Sequence, residues 1–145
     1  MHPRPSLHDA DFYAWSLQQA SLLRAGRVDE ADLTEIADEI ERLGRTDKRE
    51  LVSRLAVLLL RLLKWRCRPT LRAEAWRLSI ANSRYEIAEL LSACPSLRSQ
   101  IEDAMASAYR YARRKAMATQ LPKELIAAQC PWSFAEAMDE AYWPE

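Results

Sequence analysis

Between Leu51 and Trp65 the chain reads LVSRLAVLLLRLLKW, and from Leu55 to Leu63 every residue except Arg61 is apolar. A helix that is apolar nearly all round belongs inside a structure. The run is too short to span a membrane, which takes about 20 residues. Upstream and through it, Leu33, Ile36, Ile40, Leu43, Asp47, Leu51, Leu55, Leu58 and Leu62 keep a 3-4 rhythm, which predicts one long helix whose second half is core. Gly44 lowers helix propensity without breaking the phase, so a kink is expected there. Asp29 is the expected N-cap. Glu30, Asp32, Glu35, Asp38, Glu39 and Glu41 crowd the first turns while Arg61, Lys64, Arg66 and Arg68 close the helix, matching both poles of the macrodipole. Unbroken from 30 to 66 it would run about 55 Å, against roughly 38 Å across a compact globule of this chain length. The helix is therefore expected to bend, or to project its acidic half towards a partner.

The remaining periodicity predicts shorter helices on either side. Phe12, Trp15, Gln19 and Leu22 or Leu23 mark a one-sided first helix, capped by Asp9 or Asp11 and closed by Gly26 at C′. Pro69 ends the long helix, and Thr70 is the expected cap of the next, with Trp76, Ile80, Ser83, Ile87, Leu90 or Leu91 and Cys94 as its buried stripe. Pro95 and Ser96 repeat the stop and start. Leu97, Ile101, Ala104, Met105, Ala108, Ala112 and Ala116 follow on one face, the four alanines forming a smooth seam where another helix could approach closely. Gln120-Leu121-Pro122 stops this helix. Ser133 and Glu136 form a capping box for a short last helix through Phe134, Met138 and Tyr142. The reading is an all-α bundle of about five helices around a long, kinked second helix. It is taken as a single domain over 1–145, with residues 1–8, which include Pro3 and Pro5, as a mobile lead.

Composition narrows the chemistry more than the fold. With 145 residues, the chain should bury roughly 70% of its unfolded surface. Two glycines leave little material for hairpins. Charge balances at 21 basic against 21 acidic residues, which speaks against a dedicated nucleic-acid coat. Three cysteines, Cys67, Cys94 and Cys130, are odd in number and widely spaced, so neither a disulfide framework nor a zinc knuckle is indicated. A reducing cytoplasm is the expected location, since no signal peptide or membrane span is visible. Without a glycine-rich loop, phosphate-cradling motifs fail, and His2 and His8, both in the lead, offer no core Ser-His couple or histidine metal site. No cofactor is implied.

A series of short motifs runs through the whole chain: D-F-Y-x-W (Asp11 to Trp15), L-L-R-x-G-R (Leu22 to Arg27), E-I-x-x-L-G-R (Glu39 to Arg45), L-L-K-W (Leu62 to Trp65), P-S-L (Pro95 to Leu97) and C-P-W (Cys130 to Trp132). In this order they resemble the bacterial domain-of-unknown-function family numbered twenty-nine. The resemblance implies an all-helical fold and no particular activity. Members often carry a histidine just before L-L-K-W, where this chain has Arg61.

Four constellations could carry chemistry. Glu35 and Glu39 share a helix face and could offer carboxylates to a divalent ion, although a di-metal bundle needs carboxylates from several helices and an E-x-x-H; a solvated, dipole-matched face explains them as well. The corner from Lys64 to Arg77 alternates cations with tryptophans, so Arg61, Lys64, Trp65, Arg66, Arg68, Arg72 and Trp76 form the candidate surface for a ligand or partner. Packing of Trp65 and Trp76 with snorkelling arginines is the competing account. Tyr109, Arg110, Tyr111, Arg113, Arg114 and Lys115 form an anion site or a solvated face. Cys67 sits between Arg66 and Arg68, which could lower its thiol pKa, although a lone cysteine without a nearby base is more often inert. The preferred expectation is a non-enzymatic module that binds a protein partner or itself, with no membrane role. Nucleic-acid or phosphate binding at the basic corner comes next, and a carboxylate-based metal enzyme last.

Overall fold

The computed structural model describes residue 4 and residues 6–145; the rest of the expected lead, residues 1–3 and 5, lies outside the described residues. Among the described residues the regular structure is entirely helical: α1 (Leu7–Ala10), α2 (Phe12–Arg24), α3 (Leu33–Cys67), α4 (Glu74–Ala93), α5 (Ile101–Ala118) and α6 (Phe134–Met138). The all-α class is as expected, with one helix more than foreseen, because Leu7 and His8 belong to a separate single turn. No helix among the described residues is long and apolar enough to cross a membrane. Contacts group the chain into two compact units, Met1–Arg45 and Thr46–Glu145, and α3 contributes residues to both.

In the first unit, capping side chains start the two short helices. Ser6 Oγ accepts from the Asp9 amide at 3.3 Å, and Asp11 Oδ1 accepts from the Ala14 amide at 3.0 Å. The end of α2 is a Schellman motif, with the Arg27 amide donating to Leu22 O at 2.9 Å and the Gly26 amide to Leu23 O at 3.1 Å. Gly26 takes φ +73°, and a Cβ there would meet no atom, so the backbone angle alone calls for glycine. Trp15 and Gln19 are buried. Their polar atoms are answered by one residue: Asp32 Oδ2 accepts from Trp15 Nε1 at 3.3 Å, and the Asp32 amide donates to Gln19 Oε1 at 2.7 Å.

That arrangement corrects the expected start of the long helix. Asp29 is not its cap but lies in a 3-10 turn, Val28–Glu30, where Arg27 pairs with Glu30. Ala31 is extended, and α3 begins at Leu33. From there the helix is continuous for 35 residues to Cys67, so Gly44 does not break it. Its length is about 52 Å at 1.5 Å per residue.

In the second unit, Leu51, Leu55, Leu58, Leu59, Leu62 and Leu63 of α3 are all fully buried, in one core with Ile80, Ile87 and Leu91 of α4 and Ala104, Ala108, Ala112 and Ala116 of α5. The alanine seam is therefore spent inside this unit rather than offered to a partner. Pro69 ends α3 as expected, but Thr70 does not cap α4: Pro69–Leu71 form a 3-10 turn, and the position before α4 is Ala73, whose side chain has no oxygen to cap with. A second 3-10 stretch, Pro95–Gln100, delays α5 to Ile101. The Ser133–Glu136 capping box is present, although α6 stops at Met138 and does not reach Tyr142.

Residues 119–145 hold little regular structure, and long-range side-chain donors tie them down instead. Arg68 Nη2 donates to Gln120 O at 2.8 Å, Tyr109 OH and Arg113 Nε (3.2 Å) share Ala127 O, and Arg84 donates to Ala137 O and Tyr142 O, both at 2.8 Å. Buried main-chain carbonyls need such partners wherever no helix supplies them.

Candidate functional site

The basic corner closes on itself. Trp65 is only 3% exposed and packs against Trp143, with ring centroids 4.8 Å apart and the planes tilted by 43°. Arg72 and Arg77 lie over the Trp65 ring at 5.0 and 5.1 Å, while Arg77 and Arg84 lie over Trp143 at 4.9 and 5.3 Å. Such stacking exploits the negative face of the indole. Arg72 also donates through Nε to Trp65 O at 2.8 Å and through Nη2 to Pro144 O at 3.1 Å. Trp76 is half-buried against the core. Among the described residues no acceptor reaches the buried Trp65 Nε1. Lys64, Arg66 and Arg68 are partly exposed around this knot. Trp143 and Arg84, absent from the sequence-based set, are central to it. Arg84 was legible in principle, because it stands in phase with Ile80, Ile87 and Leu91 on the buried stripe of α4.

Arg61 stands apart from that knot. Its Nη1 donates to Ser79 O at 2.9 Å and to Ser83 Oγ. No carboxylate pairs with it among the described residues; Glu50 and Glu86, the acids on the same faces of α3 and α4, both pair with Arg54, at 2.6 and 3.3 Å. Ser53, Arg54, Val57 and Arg61 of α3 and Ser79, Asn82, Ser83 and Glu86 of α4 line an open groove of about 260 Å³.

Neither Cys67 nor Cys130 is activated. Burial pushes the Cys67 thiol above its ordinary pKa, outweighing the opposing pull of Arg66 and Arg68, and burial also raises Cys130 against the opposing backbone hydrogen bond of Trp132. Of the two readings of Cys67, desolvation thus favours the inert thiol over the activated one. In the tyrosine and arginine cluster, Tyr109 is buried and Arg113 reaches Ala127, whereas Arg110, Tyr111, Arg114 and Lys115 are exposed.

In the first unit, His8 joins the carboxylates considered for a metal. Its Nε2 meets Glu39 Oε1 at 2.7 Å, its Nδ1 meets Asp9 Oδ1 at 3.2 Å, and Glu35 lies 3.8 Å away. The ring packs edge-on to Trp15 at 4.6 Å and Phe12 at 5.4 Å. Glu39 also pairs with Arg42 at 3.3 Å. Among the described residues no group of three or more His, Cys, Asp or Glu is arranged to hold a metal ion. The hydrogen bond to Glu39, then that to Asp9, raises the His8 pKa above 6.5. A raised folded-state pKa stabilises fully below the unfolded value, and that contribution is lost as pH rises through the folded value. The first unit is therefore expected to lose stability as pH climbs from 6.5 through the raised value. NMR titration of the His8 ring should return that value, Glu39→Gln should bring it back towards 6.5, and His8→Gln should flatten the pH dependence of melting.

The signal for His8 was present in the sequence, since His8, Phe12 and Trp15 are spaced i, i+4, i+7. Its acidic partners on α3 were not visible at that distance along the chain. No curated protein and no solved structure matches the chain. The model of a family described as Domain of unknown function DUF29 matches residues 7–143, nearly the full length. On that match the chain belongs to the DUF29 family.

Proposed function

We propose that the protein is a self-association module, two copies pairing through the first half of α3. The observation that carries this reading is a set of large apolar side chains left open on one 3-4 stripe: Leu33 is 50% exposed, Ile40 64% and Leu43 70%. Single exposed apolar residues are ordinary. Three in register on a helix form a seam of the kind that helices pair along.

Charge selects the occupant. Residues 35–41 carry Glu35, Asp38, Glu39 and Glu41 and no cation, whereas Arg42 and Arg45 follow at the end of the first unit. An antiparallel second copy, centred between Ile40 and Leu43, lays each acidic block beside the other's basic block. A parallel copy would align like with like. The antiparallel arrangement is also isologous, the same patch serving both partners. Covering three half-open side chains on each copy is worth about 6–12 kcal/mol, against an association cost of about 4–15 kcal/mol. A reversible, concentration-dependent dimer is the expected outcome.

Sedimentation over a wide concentration range tests it. The wild-type chain should shift from monomer to dimer, more weakly at high salt because Asp38, Glu41, Arg42 and Arg45 are exposed. Ile40→Glu with Leu43→Glu should be monomeric with unchanged helicity. A wild-type chain that stays monomeric throughout, or a double variant that dimerises equally well, overturns the reading. The nucleic-acid alternative draws less support, because Arg72, Arg77 and Arg84 are already engaged by tryptophan faces and main-chain carbonyls.

A further inference from the structure

We propose that the groove between α3 and α4 binds a small carboxylic acid in its ionised form, with Arg61 as the group that holds it. The site is independent of the α3 stripe. A guanidinium carries five N–H donors. Both donors of Nη1 are committed, to Ser79 O and Ser83 Oγ. These bonds fix the plane of the group and leave the Nε and Nη2 edge, which has no acceptor among the described residues. That edge is one of the two faces of arginine that match a carboxylate with two parallel hydrogen bonds.

Charge points the same way. Arg61 is the one ionic residue in the apolar run from Leu55 to Leu63 and is more than half buried. A cation there without a counter-charge is costly. The two acids that could have neutralised it are taken by Arg54, which they hold in an ion-pair network with Glu50 and Glu86. The groove therefore presents one uncompensated positive charge beside a carboxylate, Glu86. This suits a ligand with a single carboxylate more than a polyphosphate, whose several charges Glu86 would repel. Ser53 and Asn82 add hydrogen-bonding groups along the walls, and Val57 adds an apolar patch. A volume of about 260 Å³ is below the range of drug-sized pockets and fits a metabolite-sized acid.

The experiment uses the full chain, with lactate as probe, lactamide as its uncharged counterpart and inorganic phosphate as the competing oxyanion. The arginine Nε–H signals are followed by NMR, the Arg61 signal being assigned by its loss in Arg61→Gln. Lactate should shift the Arg61 signal in a saturable way, lactamide should not, and phosphate should compete weakly. Arg61→Gln should weaken lactate binding about tenfold or more, as followed on the backbone amide signals of the groove residues Ser79 and Ser83. Asn82→Leu fills the groove without touching the hydrogen bonds of Arg61, and it should block lactate even if Arg61→Gln does not fold. Absence of a saturable shift, equal response to lactamide, preference for phosphate, or undiminished lactate binding in either folded variant would each overturn the proposal.

Discussion

Leu59→Ala is expected to destabilise the Thr46–Glu145 unit by about 2–5 kcal/mol. Leu59 is fully buried between fully buried neighbours of the same helix, Leu58, Leu62 and Leu63. Removing its branched end deletes the transfer free energy of the lost carbons and leaves a cavity that so tightly filled a core closes only in part. Val57, two residues earlier, is 43% exposed on the wall of the groove, so Val57→Ala should stay within about 0.5 kcal/mol. Urea unfolding of the two variants, monitored by far-ultraviolet circular dichroism, measures both. Near-equal losses would show that the faces of the run are not divided as described. The contrast matters because both residues sit in the same apolar stretch, and hydropathy alone cannot tell them apart.

The same stretch shows what a sequence can and cannot specify. The long helix was legible because its 3-4 rhythm survives Gly44 and spans 35 residues; local pattern and tertiary burial agree from Leu51 to Leu62, whereas Leu33, Ile40 and Leu43 keep the rhythm without burial. The caps were less legible, since a side chain that suits an N-cap suits other acceptors as well. Asp32, directly before α3, gives its carboxylate to Trp15 Nε1 and its amide to Gln19, a choice set by packing against α2. Asp29 and Thr70 were drawn into 3-10 turns for which the sequence has no distinct period. The alanine seam is buried, but periodicity does not say whether the surface that covers it belongs to the same chain. Arg61 stood out as the one charge in an apolar run, and its partners proved to be a main-chain carbonyl and a hydroxyl, groups that carry no signature in a sequence.

Arg84→Ala should cost about 3–5 kcal/mol, the second large effect, and for a different reason: it releases the end of the chain. Arg84 is 3% exposed on α4 and donates to the carbonyls of Ala137 and Tyr142, residues 53 and 58 positions away. Burial lowers its pKa, opposed by Asp139 and Glu140, yet an arginine keeps its proton in that setting. Each charged hydrogen bond contributes about 1.5–3 kcal/mol, and the stacking on Trp143 adds about 0.5–2 kcal/mol. Relief of a buried charge offsets part of that sum, whereas two carbonyls left without a donor add to the loss. Lysine cannot replace the fork, since a single ammonium does not span both carbonyls with a fixed geometry, so Arg84→Lys should recover only a minor share. A loss of this size corresponds to a melting temperature lower by about 6–20 °C. Two local readouts separate release of the tail from a general weakening. Limited proteolysis should cut first beyond Ala137, and tryptophan emission should move to the red as Trp143 leaves Trp65. Leu59→Ala, which empties the core without touching these bonds, should show neither sign under folded conditions. An Arg84→Ala variant with native proteolysis and emission and less than about 1 kcal/mol lost would mean that α6 and the residues after it are held by apolar contacts such as Ala137 and Trp132 alone.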